Sequence, residues 1–137
     1  MERIKENWIN EFWKKVKINK SVFNLAKELK RKKYTVCVLS NANPFHKNST
    51  LAKKLKKNFN LVIFSCDVKS RKPEKRIYSI LLKKLKLKPE NCIIIDDEKE
   101  NLKYPQKMGM KTIHFISFKQ VKKELNSLLI SSKRINN

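Results

Sequence analysis

The sequence predicts an α/β fold, a three-layer sandwich in which helices cover both faces of a parallel, Rossmann-like sheet. Short apolar runs, which are typical of buried strands, alternate with segments whose apolar residues recur at helical spacing. Strands that alternate with amphipathic helices pair in parallel through right-handed crossovers. The apolar runs lie at residues 34–39, 61–66, 92–95 and 111–116, which predicts a sheet of four strands.

Amphipathic helices are predicted before, between and after these strands. Residues 4–16 carry the first helical pattern, and Ser21 is the predicted N-cap of the second. A helix over about residues 98–108 is expected to stop at Gly109, the only glycine of the chain, because glycine suits the left-handed position after a helix. One closing helix and a polar tail follow the fourth strand.

Composition explains most of the charge without a binding function. The 137 residues fit one domain and carry a formal net charge of +22, which is typical of proteins that bind nucleic acid. However, the chain has 29 Lys, 14 Asn and 13 Ile but only 5 Arg. Lys, Asn and Ile are the residues that A/T-rich codons favour. No stretch combines arginines with aromatic residues, so nucleic acid is an unfavoured partner.

Other features indicate a cytoplasmic chain with no membrane partner. No run is long and apolar enough to cross a bilayer, and three of the first five residues are charged where a signal peptide needs an apolar stretch. Cys37, Cys66 and Cys92 lie in or beside apolar runs and at no metal-ligand spacing, so we predict buried, reduced thiols.

Polar residues follow three of the predicted strands. Ser40 and Asn41 come after the first strand, Lys72 lies in the loop after the second, and Asp96 and Asp97 end the third. Each feature alone is weak, since such residues are more often turn or helix-start residues. Because ligands bind beyond the carboxyl ends of parallel strands, the three together predict a crevice suited to a phosphoryl group and a divalent cation.

The order of these motifs resembles the haloacid dehalogenase superfamily. The matching segments are Leu-Ser-Asn-Ala at residues 39–42, Val-Lys-Ser-Arg-Lys-Pro-Glu at residues 68–74 and Ile-Ile-Ile-Asp-Asp at residues 93–97. The resemblance covers about residues 21–118 and is closest to the small-molecule phosphatases and dehalogenases of that superfamily. It implies a phosphorylated small molecule as the substrate.

The resemblance also implies residue roles. Ser40 would hydrogen-bond the transferred phosphoryl group, Asn41 would line the pocket, and Lys72 would neutralise negative charge on the phosphoryl group and the nucleophile.

A magnesium site is implied at the end of the third strand. Asp97 would be a Mg²⁺ ligand, with Asp96 beside it and Asn101 supporting the site.

The nucleophile of this superfamily is absent from the chain. That nucleophile is the first aspartate of an Asp-x-Asp motif on a central strand, and Asp67, Asp96 and Asp97 are the only aspartates here. Residues 1–20 are therefore interpreted as a remnant of a cap or linker helix, residues 21–118 as a partial core and residues 119–137 as a C-terminal helix and tail. The resemblance implies that the nucleophile strand lies between the strand that ends before Ser40 and the strand that ends before Asp96. Without it, either these two strands pair directly, or a second chain donates a strand, or the chain is truncated.

Two residues depart from the pattern of the superfamily. Lys69 stands where glycine is frequent, and Pro105 stands where a small residue is usual, inside the helix predicted at residues 98–108. Because an interior proline costs a helix about 3 kcal/mol, that helix is expected to begin late, near Asn101.

The resemblance therefore predicts a fragment of a Mg²⁺-dependent phosphohydrolase that is inactive alone. Two alternatives stay open. A non-catalytic phosphate-binding or complementation module would keep the Ser, Lys and Asp motifs without turnover. A basic nucleic-acid-binding protein would use the net charge instead.

Overall fold

The chain folds into two compact units, the first ending at Arg71 and the second beginning at Lys72. The structure is a computed structural model that describes residues 20–43 and 49–135, with side chains described as far as residue 130. The helix predicted at residues 4–16, and with it almost all of the predicted cap remnant, lies outside the described residues.

The first unit contains two parallel strands, each preceded by a helix. Its elements are α1 (Lys20–Arg31), β1 (Cys37–Ser40), α2 (Thr50–Asn58), β2 (Leu61–Phe64) and the single turn α3 (Ser65–Val68). Strands β1 and β2 pair in parallel along their whole length. The first strand was predicted from residue 34, whereas β1 begins at Cys37. Just before it, the Val36 carbonyl accepts from the Asn60 N–H and the Val36 N–H donates to the Asn60 side chain, both at 2.9 Å.

Apolar side chains from the helices and β2 form the core of the first unit. Ala42, Ala52 and Phe64 make one buried cluster. The rings of Phe23 in α1 and Phe59 after α2 meet edge to face with centroids 6.0 Å apart, an arrangement that aromatic pairs prefer. Helix α1 buries Phe23, and helix α2 buries Ala52 and Leu55.

The second unit repeats the pattern of helix and parallel strand. Its elements are α4 (Lys75–Leu85), a 3₁₀ turn (Pro89–Asn91), β3 (Ile93–Asp96), a second 3₁₀ turn (Lys99–Leu102), α5 (Lys103–Met108), β4 (Lys111–His114) and α6 (Phe118–Ile135). Strands β3 and β4 pair in parallel. Helix α4 contacts α5, and both α5 and α6 contact β4. The buried apolar residues of this unit are Ile77, Tyr78, Leu81, Leu102, Met110, Ile113, Val121 and Leu125.

The α/β class and the parallel pairing of the strands are confirmed. The described strands form two two-stranded sheets, β1 with β2 and β3 with β4, where we predicted one sheet of four strands. Within residues 20–43 and 49–135, no helix combines the length and hydrophobicity of a bilayer crossing.

Local predictions about helix ends are mostly confirmed. Gly109 ends α5 in the left-handed region at φ 103°. Helix α5 begins only at Lys103, so Pro105 lies in its first turn, where an N–H has no acceptor within the helix. The prediction that Ser21 caps α1 is wrong, because Lys20 is already helical.

Three lysines occupy left-handed backbone positions that favour glycine. Lys33, Lys69 and Lys86 have φ values of 74°, 52° and 55°. Lys69 ends the short turn α3, which explains why glycine suits this position. Lys86 ends α4 in the same way, with its N–H bonded to the carbonyls of Leu82 and Lys83.

Replacing Lys86 with glycine should therefore stabilise the protein. A left-handed lysine costs more than the extra chain entropy that glycine loses on folding, so Lys86→Gly should raise the free energy of unfolding by about 0.5 to 1 kcal/mol. The matched control is Lys84→Gly inside α4, which should lower that free energy by about 1 kcal/mol. Urea unfolding followed by circular dichroism measures both, and two changes of the same sign would contradict the assignment of the left-handed cap.

Candidate functional site

An ion pair between Lys72 and Asp96 lies at the carboxyl end of β3. The Lys72 Nζ is 2.8 Å from Asp96 Oδ2, and the two side chains are 15% and 5% exposed. Removing either partner from such a shielded pair leaves a charge that neither water nor protein solvates well. The two residues therefore depend on each other, and the predicted proximity of Lys72 to the aspartate pair is observed for Asp96.

Two further donors bind the Asp96 carboxylate. The backbone N–H of Glu98 donates to Oδ1 at 2.9 Å, and the Nδ2 group of Asn101 lies 3.2 Å from both carboxylate oxygens. Burial by itself would raise the pKa of Asp96, but the hydrogen bond from Lys72 and those from Glu98 and Asn101 hold it below its usual value. Asp96 is thus ionised at neutral pH, and its oxygens are already bound by the protein.

Asn101 reaches Asp96 from the 3₁₀ turn Lys99–Leu102, where it is 4% exposed. The Tyr78 hydroxyl of α4 donates to the Asn101 carbonyl at 2.6 Å, and Tyr78 is fully buried. Burial, and then the charge of Asp96, raise the pKa of Tyr78 to about 12. In the sequence, Tyr78 belongs to the apolar face of the helix that precedes the third strand, and no pattern marks its hydroxyl.

Asp97 differs from Asp96 although the two are adjacent in sequence. Asp97 is exposed, and its backbone carbonyl lies 2.9 Å from Nε2 of His114, the last residue of β4. The two adjacent aspartates therefore have different environments. The Asp96 carboxylate is buried in an ion pair, and the Asp97 side chain faces solvent.

The predicted magnesium ligands are the two aspartates at the end of β3. In the part of the chain that the structure describes, no three His, Cys, Asp or Glu side chains lie close enough together to hold a metal ion. Mg²⁺ requires several oxygen ligands in octahedral geometry, and the oxygens of Asp96 are bound to Lys72, Glu98 and Asn101. Of the two predicted ligands, Asp97 has the more suitable environment, and it would need oxygens from elsewhere.

The other predicted site residues belong to the first unit. Ser40 is the last residue of β1 and is half-buried, whereas Asn41 after it is exposed. Ser65, which follows β2, fixes the next residue of this loop: its Oγ accepts from the Ala42 N–H at 2.9 Å and donates to the Ala42 carbonyl at 3.1 Å. Sequence reasoning missed Ser65 because residues 61–66 were predicted as one strand.

The structure thus brings Lys72, Asp96 and Asn101 together within the second unit and places Ser40 and Asn41 at a strand end of the first. The catalytic and metal-binding roles given to these residues stay predictions.

Comparison with known proteins decides the family. Residues 1–115 match the family described as haloacid dehalogenase-like hydrolase. The chain belongs to this family. The match includes all of the motifs named above, from Ser40 to Asp97.

Curated relatives are much longer than this chain. Bifunctional epoxide hydrolase 2 of Mus musculus is 39% identical over 101 residues, which are 70% of this chain and 18% of that protein. The chain therefore spans less than a fifth of this relative. Its name includes more than one activity, so the likeness does not select a reaction.

Solved structures share the fold. A HAD family enzyme from Bacteroides thetaiotaomicron, crystallised with magnesium and inorganic phosphate, is 31% identical, with a TM-score of 0.57 over 66% of this chain and 50% of that one. A predicted HAD-like family hydrolase from Porphyromonas gingivalis is 24% identical and has a TM-score of 0.70 over 82% of this chain and 58% of its own. This second likeness supports the fold alone.

Breaking the buried ion pair should cost far more stability than breaking an exposed one. Lys72→Met would leave Asp96 charged, buried and without its main partner, so the free energy of unfolding at pH 7 should fall by about 3 kcal/mol. The matched control is Lys103→Met, which removes an exposed pair with Glu100 that has the same 2.8 Å separation. It should cost about 0.5 kcal/mol, as exposed pairs do.

The same pair predicts how stability depends on pH. Because the folded pKa of Asp96 is lower than its unfolded value, its contribution is complete above a pH of about 4 and is lost as the pH falls through the folded pKa. Asp96→Asn should therefore flatten the acid side of the stability curve measured by urea unfolding between neutral and acidic pH. Equal losses of unfolding free energy in Lys72→Met and Lys103→Met would contradict the observed pairing. So would a pH dependence of stability that Asp96→Asn leaves unchanged on the acid side.

Proposed function

We propose that this chain carries the phosphoryl-binding part of a Mg²⁺-dependent phosphohydrolase of the haloacid dehalogenase-like family and does not complete the reaction alone. The observation that carries the proposal is the Lys72 ammonium, held at the carboxyl end of β3 by Asp96, whose carboxylate also accepts a hydrogen bond from Asn101. Ligands of open parallel sheets bind at this edge.

Lys72 would stabilise negative charge on a phosphoryl group. Its ammonium is fixed by a buried carboxylate instead of moving freely in water, so little reorganisation is needed when a charged ligand arrives. Ser40, at the corresponding end of β1, would donate its hydroxyl to a phosphoryl oxygen, and Asn41 would line the pocket. The substrate class would be a phosphorylated small molecule.

Magnesium is proposed as the cofactor of the complete enzyme. Asp97 would supply one ligand, and the remaining oxygens would come from the phosphoryl group and from an Asp-x-Asp segment outside this sequence. The Bacteroides relative crystallised with magnesium and inorganic phosphate supports this assignment. Bound there, the ion would neutralise phosphoryl charge.

Partial exposure of two apolar strands supports complementation by another segment. All four residues of β1 are only partly buried, and Ile95 of β3 is 39% exposed. By contrast, Ile63 and Phe64 of β2 and Ile113 of β4 are buried. Apolar strands are normally covered by neighbours, and a strand added at the edge of a sheet would supply such a cover.

Adding the missing motif as a peptide tests this proposal. Alone with Mg²⁺, the chain should hydrolyse an aryl phosphate no faster than buffer, because the sequence lacks the nucleophile with which Ser40 and Lys72 would act. A peptide of four or five β-branched apolar residues ending in Asp-x-Asp should raise the unfolding midpoint by binding only the folded chain. Mg²⁺ should raise it further.

The control peptide carries Asn-x-Asn and should shift the midpoint without any added effect of Mg²⁺. No shift with either peptide would remove the complementation proposal. Turnover by the chain alone that disappeared in Ser40→Ala or Lys72→Met would show that another residue acts as the nucleophile.

Nucleic-acid binding is a second candidate, supported by one basic surface of the first unit. This basic surface is an open pocket with a volume of about 410 Å³, lined by Lys27, Lys30, Arg31, Lys57 and Asn58. These residues lie at the C-terminal ends of α1 and α2, which precede the starts of β1 and β2. The surface is thus at the opposite end of the strands from Ser40.

Charge-matched variants separate specific from diffuse binding. Changing Lys27, Lys30, Arg31 and Lys57 to Gln should weaken binding to duplex DNA no more than changing the exposed Lys83, Lys84, Lys122 and Lys123. Diffuse neutralisation of phosphates depends on charge alone and is largely lost at moderate salt. Fluorescence anisotropy at several salt concentrations measures both. A loss confined to the first set, with nanomolar and sequence-selective binding at physiological salt, would favour the second candidate.

A further inference from the structure

Tyr78 carries a hydroxyl that the proposed chemistry does not use. Its side chain has no exposed area, so a phenylalanine would fill the same space in the core. The hydroxyl instead donates to the carbonyl of Asn101 at 2.6 Å. A buried carbonyl needs a partner, and this one belongs to the residue whose side chain holds Asp96.

A continuous line of hydrogen bonds runs from Tyr78 to Lys72 within the second unit. The Tyr78 hydroxyl donates to the Asn101 backbone, the Asn101 amide donates to Asp96 at 3.2 Å, and the Lys72 ammonium donates to Asp96 at 2.8 Å. We propose that Tyr78 is a positioning residue that, through Asn101 and Asp96, fixes the Lys72 ammonium at the carboxyl end of β3.

The turn that carries Asn101 explains why such an anchor is needed. Asn101 lies in the four-residue 3₁₀ turn Lys99–Leu102, where its N–H bonds the Glu98 carbonyl at 3.0 Å. Hydrogen bonds of 3₁₀ turns are poorly aligned, so such a turn is easily displaced. Helix α4 supplies a rigid support, and its Tyr78 hydroxyl ties the turn to that support.

The donor is available across the physiological range. Burial and the nearby charge of Asp96 raise the pKa of Tyr78 to about 12, so the phenol keeps its proton at neutral pH. The bond to Asn101 therefore does not depend on ordinary changes of pH. This hydrogen bond therefore holds Asn101 in place at every physiological pH and does not act as a pH-dependent switch.

Solvent exchange of the Lys72 ammonium tests the inference in the full chain. Nitrogen-15 NMR at about pH 6 and low temperature observes lysine ammonium protons that are held in hydrogen bonds, and Lys72→Arg identifies the signal by its loss. In Tyr78→Phe, loss of one buried hydrogen bond should make this signal exchange about tenfold faster. The matched control is Val121→Ala, which removes buried packing elsewhere in the same unit and should leave the signal unchanged.

A second variant tests the middle of the line. Asn101→Ala keeps the backbone carbonyl that Tyr78 binds but removes the amide that binds Asp96, so exchange at Lys72 should again increase. All variants are measured with sucrose, which favours the folded state. Unchanged exchange in Tyr78→Phe would overturn the inference. So would a Tyr78→Phe chain that stays unfolded in sucrose while Val121→Ala folds, because the phenol would then act through stability alone.

This inference rests on the proposed function only for the role of Lys72, and the two fail separately. Inorganic phosphate binding in the presence of the Asp-x-Asp peptide and Mg²⁺, measured by calorimetry, reports the proposed function. Faster exchange without any phosphate binding would leave Tyr78 as a positioning residue and remove the phosphoryl site. Phosphate binding with unchanged exchange at Lys72 would leave the phosphoryl site and remove the positioning role of Tyr78.

Discussion

The buried carboxylate of Asp96 is the constraint on which the arrangement of the second unit depends. A charge with so little exposure is tolerated only when partners replace its hydration, and here they come from three separate segments: Lys72 before α4, the Glu98 backbone after β3 and Asn101 in the 3₁₀ turn. Satisfying this one carboxylate therefore fixes the loop, the strand end and the turn relative to one another.

The two neighbouring aspartates receive different environments from the alternation of side chains along a strand. Asp96 ends β3 and points to the covered side, whereas Asp97 follows it and is exposed. The two adjacent carboxylates are therefore in contrasting environments: one is buried in an ion pair, and the other faces solvent.

For β1 and β3, the burial that the apolar sequence predicts and the burial that the structure shows disagree. Both strands are apolar enough for burial, yet the buried strand residues with the least exposure lie in β2 and β4. Local sequence and tertiary burial normally agree in natural proteins, and departures are expected at functional or strained sites. Here the departure falls on the strands that the family resemblance places beside the nucleophile strand.

The sequence by itself determined the α/β class, the parallel pairing, the cap at Gly109 and a late start of α5, which was predicted near Asn101 and is found at Lys103. Each follows from periodicity or backbone stereochemistry, which are local properties. Only the tertiary structure decided that Asp96 and not Asp97 pairs with Lys72, that Ser65 holds the loop after β1, and that Tyr78 binds Asn101. These contacts join residues more than twenty positions apart, and their geometry depends on packing that no local pattern contains.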